Sequence, residues 1–211
     1  MFKSWLVTLP IAVLVFLSPG ERVFAQGNPA QTTTPPASAT STAAAQPATA
    51  AIPSPEADAA YREGDRQFNL QTRAGYEAAI QSFLQAAEAY GKAGKKQPQA
   101  LSFVWIGNCY YILGQPQKGL DYFAQALPLM KEAANKVGEA STLSNIASVY
   151  IATGQPQKAL DYYEQGLAVQ KAIGDKSGEA KSLNNIGSVY DAIGQPQRAL
   201  DYYAQSLPLR S

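Results

Sequence analysis

One tetrapeptide occurs three times at a fixed interval. Gly114-Gln115-Pro116-Gln117 returns as Gly154-Gln155-Pro156-Gln157 and again as Gly194-Gln195-Pro196-Gln197, a period of 40 residues. Agreement extends past the motif: Lys158-Ala159-Leu160-Asp161-Tyr162-Tyr163 is matched by Arg198-Ala199-Leu200-Asp201-Tyr202-Tyr203. A period of this size forces a stacked array, because one unit cannot bury its apolar face alone. Within each unit, Leu183, Ile186, Gly187, Val189, Tyr190 and Ile193 fall at helical steps and predict a helix A over about 178–193. Gly194 then suits a left-handed helix end, and Pro196 suits the first turn of a helix B carrying Leu200, Tyr203 and Leu207. So short a turn makes the two helices antiparallel. Small residues recur at two sites, Gly107/Ala147/Gly187 in helix A and Gly119/Ala159/Ala199 in helix B. They predict close approach of helix backbones. Tyr110, Tyr150 and Tyr190 are expected to wedge between helices with their hydroxyls partnered.

Composition removes several functions. The chain has no His, one Cys and a formal charge of +1. No polyanion footprint is present, so nucleic acid is not an expected partner. Without His, Ser-His-Asp and Cys-His catalysis are excluded, and the usual zinc ligand set is missing. Gly114 to Gly119 has the glycine spacing of a phosphate loop, but Leu120 stands where Lys is needed. Asp121, Asp161 and Asp201 recur with the period, which reads as solvated helix starts favoured by the helix dipole. Cys109 reads as a packed core side chain. We therefore expect no catalytic residue, metal, cofactor or small-molecule substrate.

The N-terminal quarter differs in kind. Lys3, the apolar run Leu6–Leu17 and Val23-Phe24-Ala25 have the order of a secretory signal peptide, with cleavage expected after Ala25. The run is short for a bilayer span, which needs about 20 residues; an uncleaved membrane anchor is the alternative. Cleavage would remove Lys3, Glu21 and Arg22, leaving a formally neutral chain in the periplasm or secreted. Residues 26–55 hold Ala, Thr, Pro, Ser and some Gln, with Ile52 as the only large apolar side chain. They predict a disordered tether, either a spacer or a neutral linker.

The bulky–Ile–small–Tyr series of helix A and the Ala–aromatic–small series of helix B resemble the tetratricopeptide repeat (TPR). In the last unit these are Leu183, Ile186, Gly187 and Tyr190, then Ala199, Tyr203 and Ser206. The common TPR period is about 34 residues; a period of 40 is similar to the kinesin-light-chain type. The resemblance implies an all-α, right-handed α-solenoid of antiparallel helix pairs over 56–211. Its repeats would fall at about 98–137, 138–177 and 178–211. A degenerate repeat is expected over 56–97, with helix A at Ala60–Leu70, Gly64 at the small site, a turn around Gln71–Gly75 and helix B along Glu77–Ala86.

Family resemblance further implies that helix A lines an inner groove for a protein or peptide. Its candidates are Trp105, Asn108 and Tyr111, then Asn145 and Ser148, then Lys181, Asn184, Asn185 and Ser188. Val104, Ser144, Ile151 and Asp191 flank them. Asn145 and Asn185 stand where related modules place an Asn on a peptide backbone, a task suited to a group that both donates and accepts. Lys181 and Asn185 are spaced as in a carboxylate clamp, but Ser141 and Leu101 at the matching sites argue against a full clamp. Trp105 fits either a groove anchor or packing on the preceding repeat. The last helix B stops at Leu207-Pro208-Leu209-Arg210-Ser211 with no cap following. Two expectations follow: self-association through that end, or continuation into a longer protein. The resemblance includes TPR proteins joined to caspase-like CHAT proteases, for which this chain would be a docking arm.

Overall fold

Each Gly-Gln-Pro-Gln motif closes one helix and opens the next. Gly114, Gly154 and Gly194 have φ of 75°, 72° and 75°. The N–H of the following Gln bonds back to the carbonyl of Tyr110, Tyr150 or Tyr190 at 2.8 Å, satisfying a helix-end carbonyl. The Pro that follows sits in the first helical turn, where its missing N–H costs nothing.

The computed structural model describes residues 54–209, all within one compact unit, Thr49–Ser211. The expected signal peptide and all of the tether before Ser54 lie outside the described residues. Eight helices follow in order: α1 (Pro55–Phe68), α2 (Arg73–Lys92), α3 (Lys96–Ile112), α4 (Pro116–Glu132), α5 (Lys136–Ala152), α6 (Pro156–Ile173), α7 (Lys176–Ala192) and α8 (Pro196–Ser206). A 3-10 turn, Leu207–Leu209, follows α8. Successive helices pack as antiparallel A/B pairs, giving an all-α solenoid with α1, α3, α5 and α7 as its A helices. Among the described residues no helix is long and apolar enough to cross a membrane.

The degenerate first repeat is a full helix pair, and α1 begins at Pro55, not Ala60. Pro55 starts the helix, and Ala57 is buried with Ala86 and Tyr90 of α2. Asp58 accepts the Tyr90 hydroxyl at 2.6 Å. The charge-free composition before Glu56 hid this extra turn. The loop also closes earlier than expected, with Thr72 capping α2 through the Gly75 N–H.

The helix A small site serves a different purpose from the one expected. A Cβ at Gly64, Gly107 or Gly187 would meet the ring of Phe83, Phe123 or Tyr203 at 2.7, 2.7 and 2.6 Å. These positions make room for the helix B aromatic, not for a second backbone. Backbone approach does occur at Gly119, whose Cβ would lie 3.0 Å from the Gly107 carbonyl oxygen. Tyr110, Tyr150 and Tyr190 stack on Tyr122, Tyr162 and Tyr202 of the same pair, with centroids 5.5, 5.5 and 5.4 Å apart. Lys118, Lys158 and Arg198 lie over those rings at 5.3, 5.3 and 5.5 Å. Asp121, Asp161 and Asp201 are exposed, but they lie beyond the first turn of their helices, outside the reach of the dipole.

Candidate peptide-binding groove

The candidates lie on three A helices, and capping side chains fix the entries of two of them. Asn135 and Asp175 cap α5 and α7 by accepting the N–H of Gly138 and Gly178 at 2.8 and 2.9 Å. Sequence spacing alone cannot separate groove-facing side chains from those turned toward helix B. The hydrogen bonds do so.

Ser148 and Ser188 turn toward their own B helices. The Ser148 hydroxyl lies 3.0 Å from the Tyr163 hydroxyl, and Tyr203 donates to Ser188 at 3.2 Å. Asn184 donates to the Ala180 carbonyl at 2.8 Å and accepts from Ser206 at 2.9 Å. Its amide therefore ties α7 to α8. One repeat earlier, Ser144 and Gly166 hold the same pair of sites, and before that Val104 and Ala126 do. Neither earlier pair can form this amide–hydroxyl link.

Trp105 takes the packing role. Its ring stacks on Phe83 at 6.1 Å and meets Phe68 edge-on at 4.9 Å, and its indole N–H donates to the Tyr61 hydroxyl at 2.6 Å. It thus seals the junction between the first and second repeats. Tyr111 packs against the Phe123–Ile146–Val149 cluster. Lys181 is exposed on α7. Asn108, Asn145 and Asn185 are half-buried, and their amides make no hydrogen bond to another described residue. Asn145 and Asn185 hold the same repeat site. Trp105 holds that site in α3; Asn108, one helical turn on, holds the site of Ser148 and Ser188, but Phe123 stands where Tyr163 and Tyr203 offer hydroxyls, so its amide is left unengaged.

A feature that the sequence did not signal lies elsewhere. A cleft of about 570 Å³ opens between α4, α5 and α6, lined in part by Leu120, Leu127, Pro128, Ile146, Tyr150 and Tyr162. Leu120 is half-buried there, whereas its counterpart Leu160 is buried. Leu127 and Pro128 line it, where the next repeat has Leu167 and Ala168. Cys109 is buried, and burial pushes its thiol up to about 12, so it holds no thiolate at neutral pH.

An array of A/B helix pairs with an open polar face is, as a class, a helical-repeat scaffold. Tetratricopeptide repeat models match residues 98–172 and 180–210, about half of the chain. The chain belongs to the tetratricopeptide repeat family. Among solved structures it is similar to aspartyl phosphate phosphatase F of Bacillus subtilis, at 15% identity and TM-score 0.68 over 74% of this chain and 40% of that one. It is also similar to the Rap conjugation gene regulator of plasmid pLS20 in complex with a Phr peptide, at 16% identity and TM-score 0.61 over 72% and 41%. A Podospora anserina kinesin light chain with nearly identical TPR-like repeats matches at 19% identity and TM-score 0.59 over 75% and 77%. At these identities the likeness establishes the fold alone. The chain spans about two-fifths of the first two proteins. No curated protein sequence matches it.

Proposed function

We propose that this chain is a non-catalytic scaffold that holds a peptide segment of a protein partner along its A helices. One observation carries the reading: Asn108, Asn145 and Asn185 keep their amide donors and acceptors uncommitted, while Ser148, Asn184 and Ser188 on the same helices are tied to helix B. Their polar atoms are open to water, so a peptide backbone would exchange solvent hydrogen bonds for bonds to these amides, each contributing about 1 kcal/mol net. The Rap regulator, which shares the fold, was solved with a peptide bound, and this supports the same use here. Trp105 closes one end of the row, so the peptide would run from α3 toward α7. The order of Lys3, the apolar run Leu6–Leu17 and Val23-Phe24-Ala25 supports action outside the cytoplasm, in the periplasm or secreted.

The test is to pan the chain against a displayed random-peptide library and measure the selected peptides by fluorescence anisotropy. Two neutral hydrogen bonds contribute about 2 kcal/mol together, so Asn145→Ala/Asn185→Ala should weaken binding by about thirtyfold with little change in thermal unfolding. Equal binding to the double variant, or no peptide enriched, would remove the proposal.

A further inference from the structure

Three junctions inside the array can be compared at one site. Ile80, Leu120 and Leu160 are equivalent residues of α2, α4 and α6, and Leu113, Thr153 and Ile193 are equivalent residues at the ends of α3, α5 and α7. Leu113 packs on the cluster that holds Ile80, and Ile193 on the cluster that holds Leu160. Ile80 is 3% exposed and Leu160 2%. Leu120, facing the middle junction, is only half-buried. Thr153 is the difference. It is shorter than Leu or Ile, and its hydroxyl donates to the Val149 carbonyl of its own helix at 3.0 Å. The cleft of about 570 Å³ opens at this junction, and both Leu120 and Thr153 line it. Its volume falls in the range of small-ligand sites, about 300–1,000 Å³.

We propose that this cleft binds a free apolar carboxylate of the fatty-acid type, its chain over Leu120, Ile146 and Leu127 and its head group on Lys131. The neighbouring repeats say what the floor accepts, since they cover the same site with the aliphatic side chains of Leu113 and Ile193. The charges say which way the ligand lies. At the far end of α4, Lys131 and Lys136 share one carboxylate, Glu139, at 3.9 and 2.8 Å. The adjacent Glu132 is taken by Lys96 at 2.8 Å. That end keeps one positive charge in surplus. Toward the other end Lys158 and Asp121 both line the cleft and balance. Leu120 to Lys131 spans about 17 Å of helix, so the ligand is an extended chain with a single anionic head. Its chain leaves water against the apolar floor, and its carboxylate meets the surplus ammonium at the rim.

The probe is dodecanoate, titrated calorimetrically into the full chain below its micelle concentration. It should bind saturably at one site. Thr153→Ile, which copies Ile193, should weaken binding at least tenfold while the thermal midpoint holds or rises, because the side chain fills the cleft. Lys131→Met should weaken dodecanoate at least tenfold and leave the weaker binding of dodecanol unchanged. Asn145→Ala/Asn185→Ala should leave dodecanoate binding intact, which separates the cleft from the peptide groove. Absence of saturable binding, or binding indifferent to Thr153→Ile, overturns the proposal. So does dodecanol or dodecylamine binding as tightly as dodecanoate, since the head group would then have no part in recognition.

Discussion

At the scale of single residues, Ala134 and Gly174 form a natural experiment. Both follow a B helix, forty residues apart, and both take a left-handed backbone, with φ of 53° and 71°. The next residue's N–H closes the helix in the same way, Asn135 to the Met130 carbonyl and Asp175 to the Gln170 carbonyl. A Cβ in this region costs about 1 kcal/mol, and glycine avoids it. Ala134→Gly is therefore expected to stabilise the protein by about 1 kcal/mol, and Gly174→Ala to destabilise it by a similar amount. Urea unfolding of both variants checks this, and equal small losses in the two would contradict it. Residue by residue, the punctuation was readable because Gly and Pro act through the backbone itself. The difference between Asn184 and Asn185 was not. It depends on Ser206, a residue on another helix that decides which amide is occupied.

At the scale of elements, the first helix pair is held by buried phenols more than by its weak repeat pattern. Tyr61 meets Phe83 edge-on at 5.3 Å and accepts the Trp105 indole N–H. Burial raises its pKa well above the ordinary value, and burial followed by the Asp58 carboxylate does the same for Tyr90. Tyrosines in the unfolded chain ionise near pH 10. Above that pH the unfolded state holds fewer protons than the folded one, so stability is full below about pH 10 and falls as pH rises further. Urea midpoints should be flat from pH 8 to 9.5 and drop by pH 11, with Tyr61→Phe showing a smaller drop. A midpoint indifferent to pH up to 11 would contradict this. The existence of this pair was legible from Glu77–Ala86 alone, but its start was not. Pro55 belongs by composition to the tether and Ala57 stands before the expected start at Ala60, yet both are helical, with Ala57 buried against α2.

At the scale of the molecule, the array is a chain of neighbouring interfaces, each with its own fit. The sequence period predicts identical junctions, and the architecture follows it. The fit does not: the junction of α4, α5 and α6 opens a cleft, whereas α7 seals over Leu160 and Leu167. A period cannot report such differences, because they arise from the packing of several helices at once. The same limit applied to Trp105, whose partners Phe68 and Tyr61 lie in the repeat least like the others. What the period did supply was the row of A helices that carry the three uncommitted amides. Their engagement by a bound peptide is the central claim. The most direct test is to follow the side-chain amide resonances of the chain by nitrogen-15 correlation spectroscopy while titrating a library-selected peptide. The NH2 signals of Asn108, Asn145 and Asn185 should shift and saturate together, with Asn184 nearly still. Saturable binding that moves Asn184, or residues around the Leu120–Tyr150 cleft, while those three stay fixed would contradict the account.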